Sequence, residues 1–151
     1  MDIIIKNNEN KNENNKKTQL FKNIYGLDKG IIELTLKDFI KKKNKLLINN
    51  SYFEEKKGFI VFYAPWCKHC VKLSDLLIEL ALSNINLFYF GSVNIENIED
   101  GNDYLAVYAG IKKLPTIKYI NSDGILKDYT FKYDADNLIF YINMTKFIIF
   151  L

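Results

Sequence analysis

Apolar and polar positions divide this 151-residue chain into a polar lead-in and a patterned body. From about Lys6 to Lys17 nearly every residue is Asn, Lys or Glu. Such a stretch has nothing to bury, so residues 1–18 read as a disordered tail. One domain is expected over residues 19–151. The run IIELTL, Ile31 to Leu36, is β-branched and partly alternating, which suits a strand. Lys37 to Asn44 reads as a short helix with Phe39 and Ile40 turned inward. Leu46 to Tyr52 and the EEKKG that follows are ambiguous. Phe59 to Tyr63 is a continuous apolar run between Gly58 and Pro65, as in a central strand buried on both faces. Pro65 would break a helix, so the strand ends before it. Val71, Leu73, Leu76, Leu77 and Leu80 then recur at helical spacing.

Ile85 to Ile95 is the next strand, and Tyr104 to Tyr108 a short helix ending at Gly110. Thr116 to Ile120 alternates and reads as a strand. Asn121, Ser122, Asp123 and Gly124 are turn residues, and ILKDYTF completes a hairpin. Asp134 or Asp136 caps a last helix whose buried stripe is Leu138, Ile139, Ile142 and Phe147. The order is βαβαβαββα. It predicts an α/β fold with a mixed central sheet and helices on both faces.

Composition narrows this only slightly. Hydrophobic residues are 48% of the chain and aromatics 15%, enough for one packed core. The net charge of +3 is the balance of 21 Lys against 18 Asp and Glu, with no Arg anywhere in the chain. That balance does not suggest nucleic acid, and the bidentate forks that grip phosphate or guanine are missing. No uninterrupted apolar run is long enough to span a bilayer, so no membrane role is expected. The abundance of Asn, Ile, Lys, Tyr and Phe points to an A/T-rich genome, that of a protist or a large DNA virus. The N-terminus does not read as a signal peptide, and no retention signal is seen. An intracellular, cytoplasmic location is expected, or a virion if the source is viral.

The chemistry concentrates in FYAPWCKHC, Phe62 to Cys70, which holds both cysteines, the only Trp and the only His. Two cysteines spaced C-x-x-C at a helix start put the first where backbone N–H groups and the positive helix end point. Both features favour a thiolate, and the second thiol lies one turn away, close enough to close a disulfide. Cys67 would attack a substrate disulfide and Cys70 would resolve the mixed disulfide. Lys68 and His69 add positive charge beside the sulfur. Charge of that sign stabilises the reduced pair and so makes it more oxidising. A structural zinc site needs four ligands, and Cys67, Cys70 and His69 do not complete one. Two ordinary buried cysteines are the remaining reading. The position after a buried strand and before an apolar-striped helix favours redox chemistry, with no metal and no cofactor.

The same residues carry a family resemblance. FYAPWCKHC resembles the active-site segment of the thioredoxin superfamily, and most closely that of protein disulfide isomerase domains, FYAPWCGHC. Lys68 is the one departure within it. LPT, Leu114 to Thr116, resembles the family's second mark. The resemblance covers roughly Ile31 to Phe147 and implies a thioredoxin fold. It implies a cis peptide at Pro115, and a substrate surface formed by Trp66, Leu114 and Pro115. It further implies a thiol–disulfide oxidoreductase acting on protein thiols or disulfides, reset by a reductase or glutathione. The rival reading is a thioredoxin-fold binding module with weak or no turnover. One departure favours the rival. The family's buried acid on the strand before the motif is replaced by Val61, and its Lys partner by Ser92. The Gly and Arg usual after the last strand are replaced by Phe131 and Tyr133.

Overall fold

The computed structural model describes residues 24–53 and 57–147; the expected tail lies outside them. Among the described residues there are seven strands: β1 (Ile32–Glu33), β2 (Phe39–Lys42), β3 (Lys45–Ile48), β4 (Gly58–Tyr63), β5 (Tyr89–Asn94), β6 (Thr116–Ile120) and β7 (Leu126–Asp128). The helices are α1 (Lys68–Ser83), α2 (Asn102–Tyr108) and α3 (Ala135–Phe147). Five strands form one mixed sheet in the order β1-β5-β4-β6-β7. β1 and β4 run parallel to β5, while β6 runs antiparallel to β4 and to β7. This is the thioredoxin arrangement expected from the sequence.

The N-terminal third departs from expectation. The expected helix over 37–44 is absent. Only Leu36–Asp38 takes a short 3₁₀ turn, held by the Thr35 N–H donating to Asp38 Oδ2 at 2.8 Å. The chain then extends into β2, which pairs antiparallel with β3 as a hairpin. The burial explains why. Phe39 is buried opposite Ile48, whereas Ile40, expected inward, is exposed with Lys41 and Lys42. The tip needs a residue in the left-handed region, and Lys43 supplies it at φ 55°. The strand expected over 31–36 is likewise cut to two residues, although Leu34 still donates its N–H to Ser92 at 2.8 Å.

β4 is buried at every position, because each face of the sheet is covered. On one face Phe59, Val61 and Tyr63 join α1 and α3 in a core that includes Leu77, Leu138 and Ile142. On the other, Ile60 and Phe62 join the hairpin's Phe39 and Leu46 and α2's Leu105. A fully buried Phe or Leu of this kind stabilises the fold by about 1.5–3 kcal/mol relative to exposure. Gly91 of β5 lets the second core close. A Cβ there would stand 2.6 Å from Leu34 Cδ1 and 2.8 Å from Ile60 Cδ1.

The helical stripes are shifted slightly from their expected positions. In α1 the buried residues are Cys70, Leu73, Ser74, Leu77, Leu80 and Ala81, while Val71 is exposed. In α3 Leu138 and Ile142 are buried but Ile139 is exposed, and Tyr141 and Thr145 complete the face. The side chain of Phe147 lies outside the described residues. Asp134 is the cap, accepting the Asn137 N–H at 2.9 Å.

Candidate active site

The site forms where β4 runs into α1. After Tyr63 the chain turns through Ala64, Pro65 and Trp66, and the Cys67 N–H bonds back to the Ala64 carbonyl at 3.1 Å. Cys67 is the N-cap of the 16-residue α1, in extended conformation. Its sulfur accepts the backbone N–H of Cys70 at 3.3 Å. The cap position leaves that donor without a helical partner, so a sulfur can take it. The positive end of the helix dipole lies at the same place.

The two thiols are both free, and their surroundings differ. Cys67 keeps 7% of its surface exposed, while Cys70 has none. Burial, reinforced by the hydrogen bond to the Cys67 sulfur, pushes the Cys70 thiol up to about 12. Cys70 therefore holds its proton at neutral pH and offers it towards Cys67.

The other expected site residues lie around this pair. Lys68 and His69 are exposed on the first turn of α1. Trp66 is 54% exposed, and its Nε1 donates to Glu96 Oε1 at 2.7 Å, which fixes the indole plane. The Leu114–Pro115 peptide is cis. Thr116 pairs with Phe62, so the Pro115 loop sits at the end of β4 that leads into the motif. Leu114 packs into both cores. Pro115 and His69 line an open groove of about 500 Å³ with Leu73, Leu76 and Tyr133. Tyr133, at the place of the expected Arg, accepts the Ile117 N–H at 2.9 Å.

Val61 and Ser92 are direct partners across β4 and β5. Both are buried, and Ser92 donates its hydroxyl to the Ile32 carbonyl at 3.4 Å.

Three residues near the motif were not singled out in the sequence. Tyr25, just before β1, donates its hydroxyl to the Cys70 carbonyl at 3.4 Å. Its ring meets that of Tyr63 edge-on at 4.8 Å. Tyr63 in turn donates to Glu33 Oε1 at 2.9 Å. Tyr63 stands inside the quoted motif, but Tyr25 and Glu33 lie 45 and 30 residues from their partners. No local pattern marks such contacts.

Comparison with known proteins agrees with this geometry. The thioredoxin family model matches residues 36–144. The chain belongs to the thioredoxin family. It is 31% identical over 91 residues to protein disulfide-isomerase 1 of Dictyostelium discoideum, covering 58% of this chain and 24% of that protein. It is 35% identical over 92 residues to a protein disulfide-isomerase of Ricinus communis, covering 58% of this chain and 18% of that protein. The chain thus spans a quarter or less of these relatives. Among solved structures, the Trx4 domain of ERdj5 superposes with TM-score 0.60 at 21% identity, covering 78% of this chain and 96% of that one. Mitochondrial thioredoxin 3 from Saccharomyces cerevisiae in its oxidized form gives 0.56 at 20%, covering 76% and 94%. These likenesses are of fold. Together with the family match, the neighbouring cysteines fit a redox-active C-x-x-C centre.

Proposed function

We propose that the chain is a thiol–disulfide oxidoreductase that exchanges disulfides with protein substrates through Cys67 and Cys70. The observation that supports this most is the unequal pair of free thiols. Cys67 caps a helix with a small part of its surface exposed, and Cys70 is sealed beneath it with its proton held. Cys67 is the nucleophile that forms a mixed disulfide, and Cys70 resolves it. Lys68 and His69 bias the pair toward disulfide donation and shuffling, as in the disulfide isomerases to which the chain is similar. Trp66, Leu114 and Pro115 form the surface that receives substrate. A reductase or glutathione resets the pair.

Replacing Cys67 with Ser is expected to abolish turnover of a disulfide-bonded protein substrate; retained activity overturns the mechanism. The equilibrium potential of the pair, read by titration against glutathione, fixes its direction. A value near about −180 mV matches an isomerase-like oxidant and one near about −270 mV a reductant.

One observation favours a second reading, a binding module. Val61 leaves the strand beneath the cysteines without an acid to move the Cys70 proton. Cys70→Ala separates the two readings. The enzyme accumulates covalent mixed disulfides on Cys67, and the module accumulates none.

A further inference from the structure

Beside the cysteines the surface is grooved, with apolar side chains and exposed lysines along the same path. We propose that a trough running from His69 past Pro115 to Lys132 selects substrate chains whose reacting cysteine is flanked by an apolar side chain and by acidic residues. This rests on the reading of Cys67 as the thiol that meets protein substrates, and names the class of chain it takes.

The trough is two open grooves that share one wall. The first, of about 500 Å³, holds His69, Lys72, Leu73, Leu76 and Pro115. The second, also of about 500 Å³, runs on between β6 and the segment after β7, and holds Lys113, Phe131 and Lys132. Tyr133 borders both. Its ring is held in place, because the hydroxyl accepts the Ile117 N–H at 2.9 Å and the ring lies against Tyr129 at 5.9 Å. Leu76, Pro115 and Tyr133 thus make a fixed apolar surface, and Phe131 extends it at 43% exposure. Apolar surface left open beside a reactive thiol suits a side chain carried by the substrate.

Charge sets the rest of the occupant. Four lysines line the two grooves, Lys72, Lys113, Lys118 and Lys132, against two aspartates, Asp128 and Asp134. Both aspartates are already engaged. Asp128 Oδ1 accepts from Lys118 Nζ at 2.5 Å. Asp134 Oδ1 accepts the backbone N–H and the side-chain amide of Asn137 at 2.9 and 2.7 Å. Lys72 and Lys113, one in each groove, are exposed and have no ion-pair partner among the described residues. A carboxylate on the substrate supplies that partner. An ammonium is a point charge on a flexible stem, so it takes a carboxylate without demanding one geometry. A basic chain meets like charge in both grooves, so the trough discriminates by repulsion as well as by attraction.

The test is the second-order rate at which the full reduced chain takes up three peptides built on one frame. Each carries a central cysteine joined by a disulfide to thionitrobenzoate, a phenylalanine beside it, and further residues that are all Glu, all Gln or all Lys. Cys67 attacks the peptide sulfur and forms a disulfide with it. The bond to thionitrobenzoate breaks, and thionitrobenzoate leaves with the electron pair and is read by its absorbance. At low ionic strength the Glu peptide is expected to react about ten-fold faster than the Lys peptide, with the Gln peptide between them. Equal rates for the three overturn the proposal. Lys113→Glu combined with Lys132→Glu is expected to bring the ratio of the Glu to the Lys rate down to about one or below. The ratio reads the charge along the trough, because a change in folding or in the Cys67 thiolate moves both rates together. A ratio that the double variant leaves unmoved assigns the preference to Lys68 beside the motif and overturns the trough. Serine in place of the phenylalanine is expected to slow the Glu peptide by about five-fold, as for partial burial of a ring. An unchanged rate there overturns the apolar part of the occupant. Release of thionitrobenzoate from none of the peptides overturns the oxidoreductase reading itself, which keeps the two failures distinct.

Discussion

The two faces of the central sheet are closed by different devices. One is covered by α1 and α3, of 16 and 13 residues, and carries the buried cysteine. The other is covered by a hairpin and α2, a helix of only seven residues. The first face also concentrates ionisable aromatics: Tyr25, Tyr63, Tyr119, Tyr129 and Tyr141 all lie in its core. The second holds Tyr89, with Tyr52 partly buried at its margin. The contrast teaches that the face bearing the chemistry is also the one most exposed to loss by ionisation, whereas the hairpin face depends on backbone geometry at a turn.

The largest effect that separates the faces is a cavity at Phe59. Its ring meets Phe88, Phe90, Tyr129 and Tyr141 at 4.7–5.8 Å. Phe59→Ala is expected to destabilise the fold by about 3–5 kcal/mol in denaturant unfolding. Phe39→Ala on the hairpin, where the ring keeps 8% exposure beside open solvent, is expected to fall at or below the lower end, about 3 kcal/mol. The reverse order would show that the hairpin is the stronger side.

Alkaline pH comes next. Burial raises the Cys70 thiol from 9.0 to about 12, and raises the five site-face phenols above 10.0. In the unfolded chain these groups ionise first, so their contribution is complete below about pH 9. It is lost as pH rises through the folded values. Each group held neutral then costs up to about 1.4 kcal/mol per pH unit. The thermal midpoint is expected to be flat from pH 7 to 9 and to fall steeply by pH 11. A midpoint that holds through pH 11 would mean these groups ionise in place, without opening the core.

The smallest effect lies at the hairpin tip. Lys43 at φ 55° occupies a conformation that disfavours a side chain by roughly 1–2 kcal/mol. Lys43→Gly removes that penalty but loosens the unfolded chain. The expected net gain is at most about 1 kcal/mol, read as a small shift of the denaturant midpoint. A loss of stability would show that Lys43 makes a contact worth more than its strain.

The same contrast decides what could be read from the sequence. GFIVFY announces itself as a central strand because a run buried on both sides has no polar break, and Pro65 fixes where it stops. FYAPWCKHC and LPT then place the candidate site, down to the cis peptide at Pro115. The hairpin was hidden by its lysines. FIKKKNKLLI has a helix-forming composition, and its tip carries Lys43 and Asn44 with no glycine to signal a turn. Its alternation is also weak, since only Phe39 of β2 is buried. The Tyr63–Glu33 hydrogen bond was out of reach for another reason. It depends on β1 lying beside β5 and β5 beside β4, and such neighbours are set by the whole sheet.

The hairpin has one more consequence. Leu47 of β3 bridges Ile125 just before β7, and the Ile48 N–H donates to the Gly124 carbonyl at 2.8 Å. That blunts the rim of the sheet where an unpaired strand would otherwise template another chain. The opposite rim is β1, only two residues long. Among the described residues, neither border offers a long ladder for strand addition. The sheet therefore presents, among the described residues, little free edge on which another chain could add a strand.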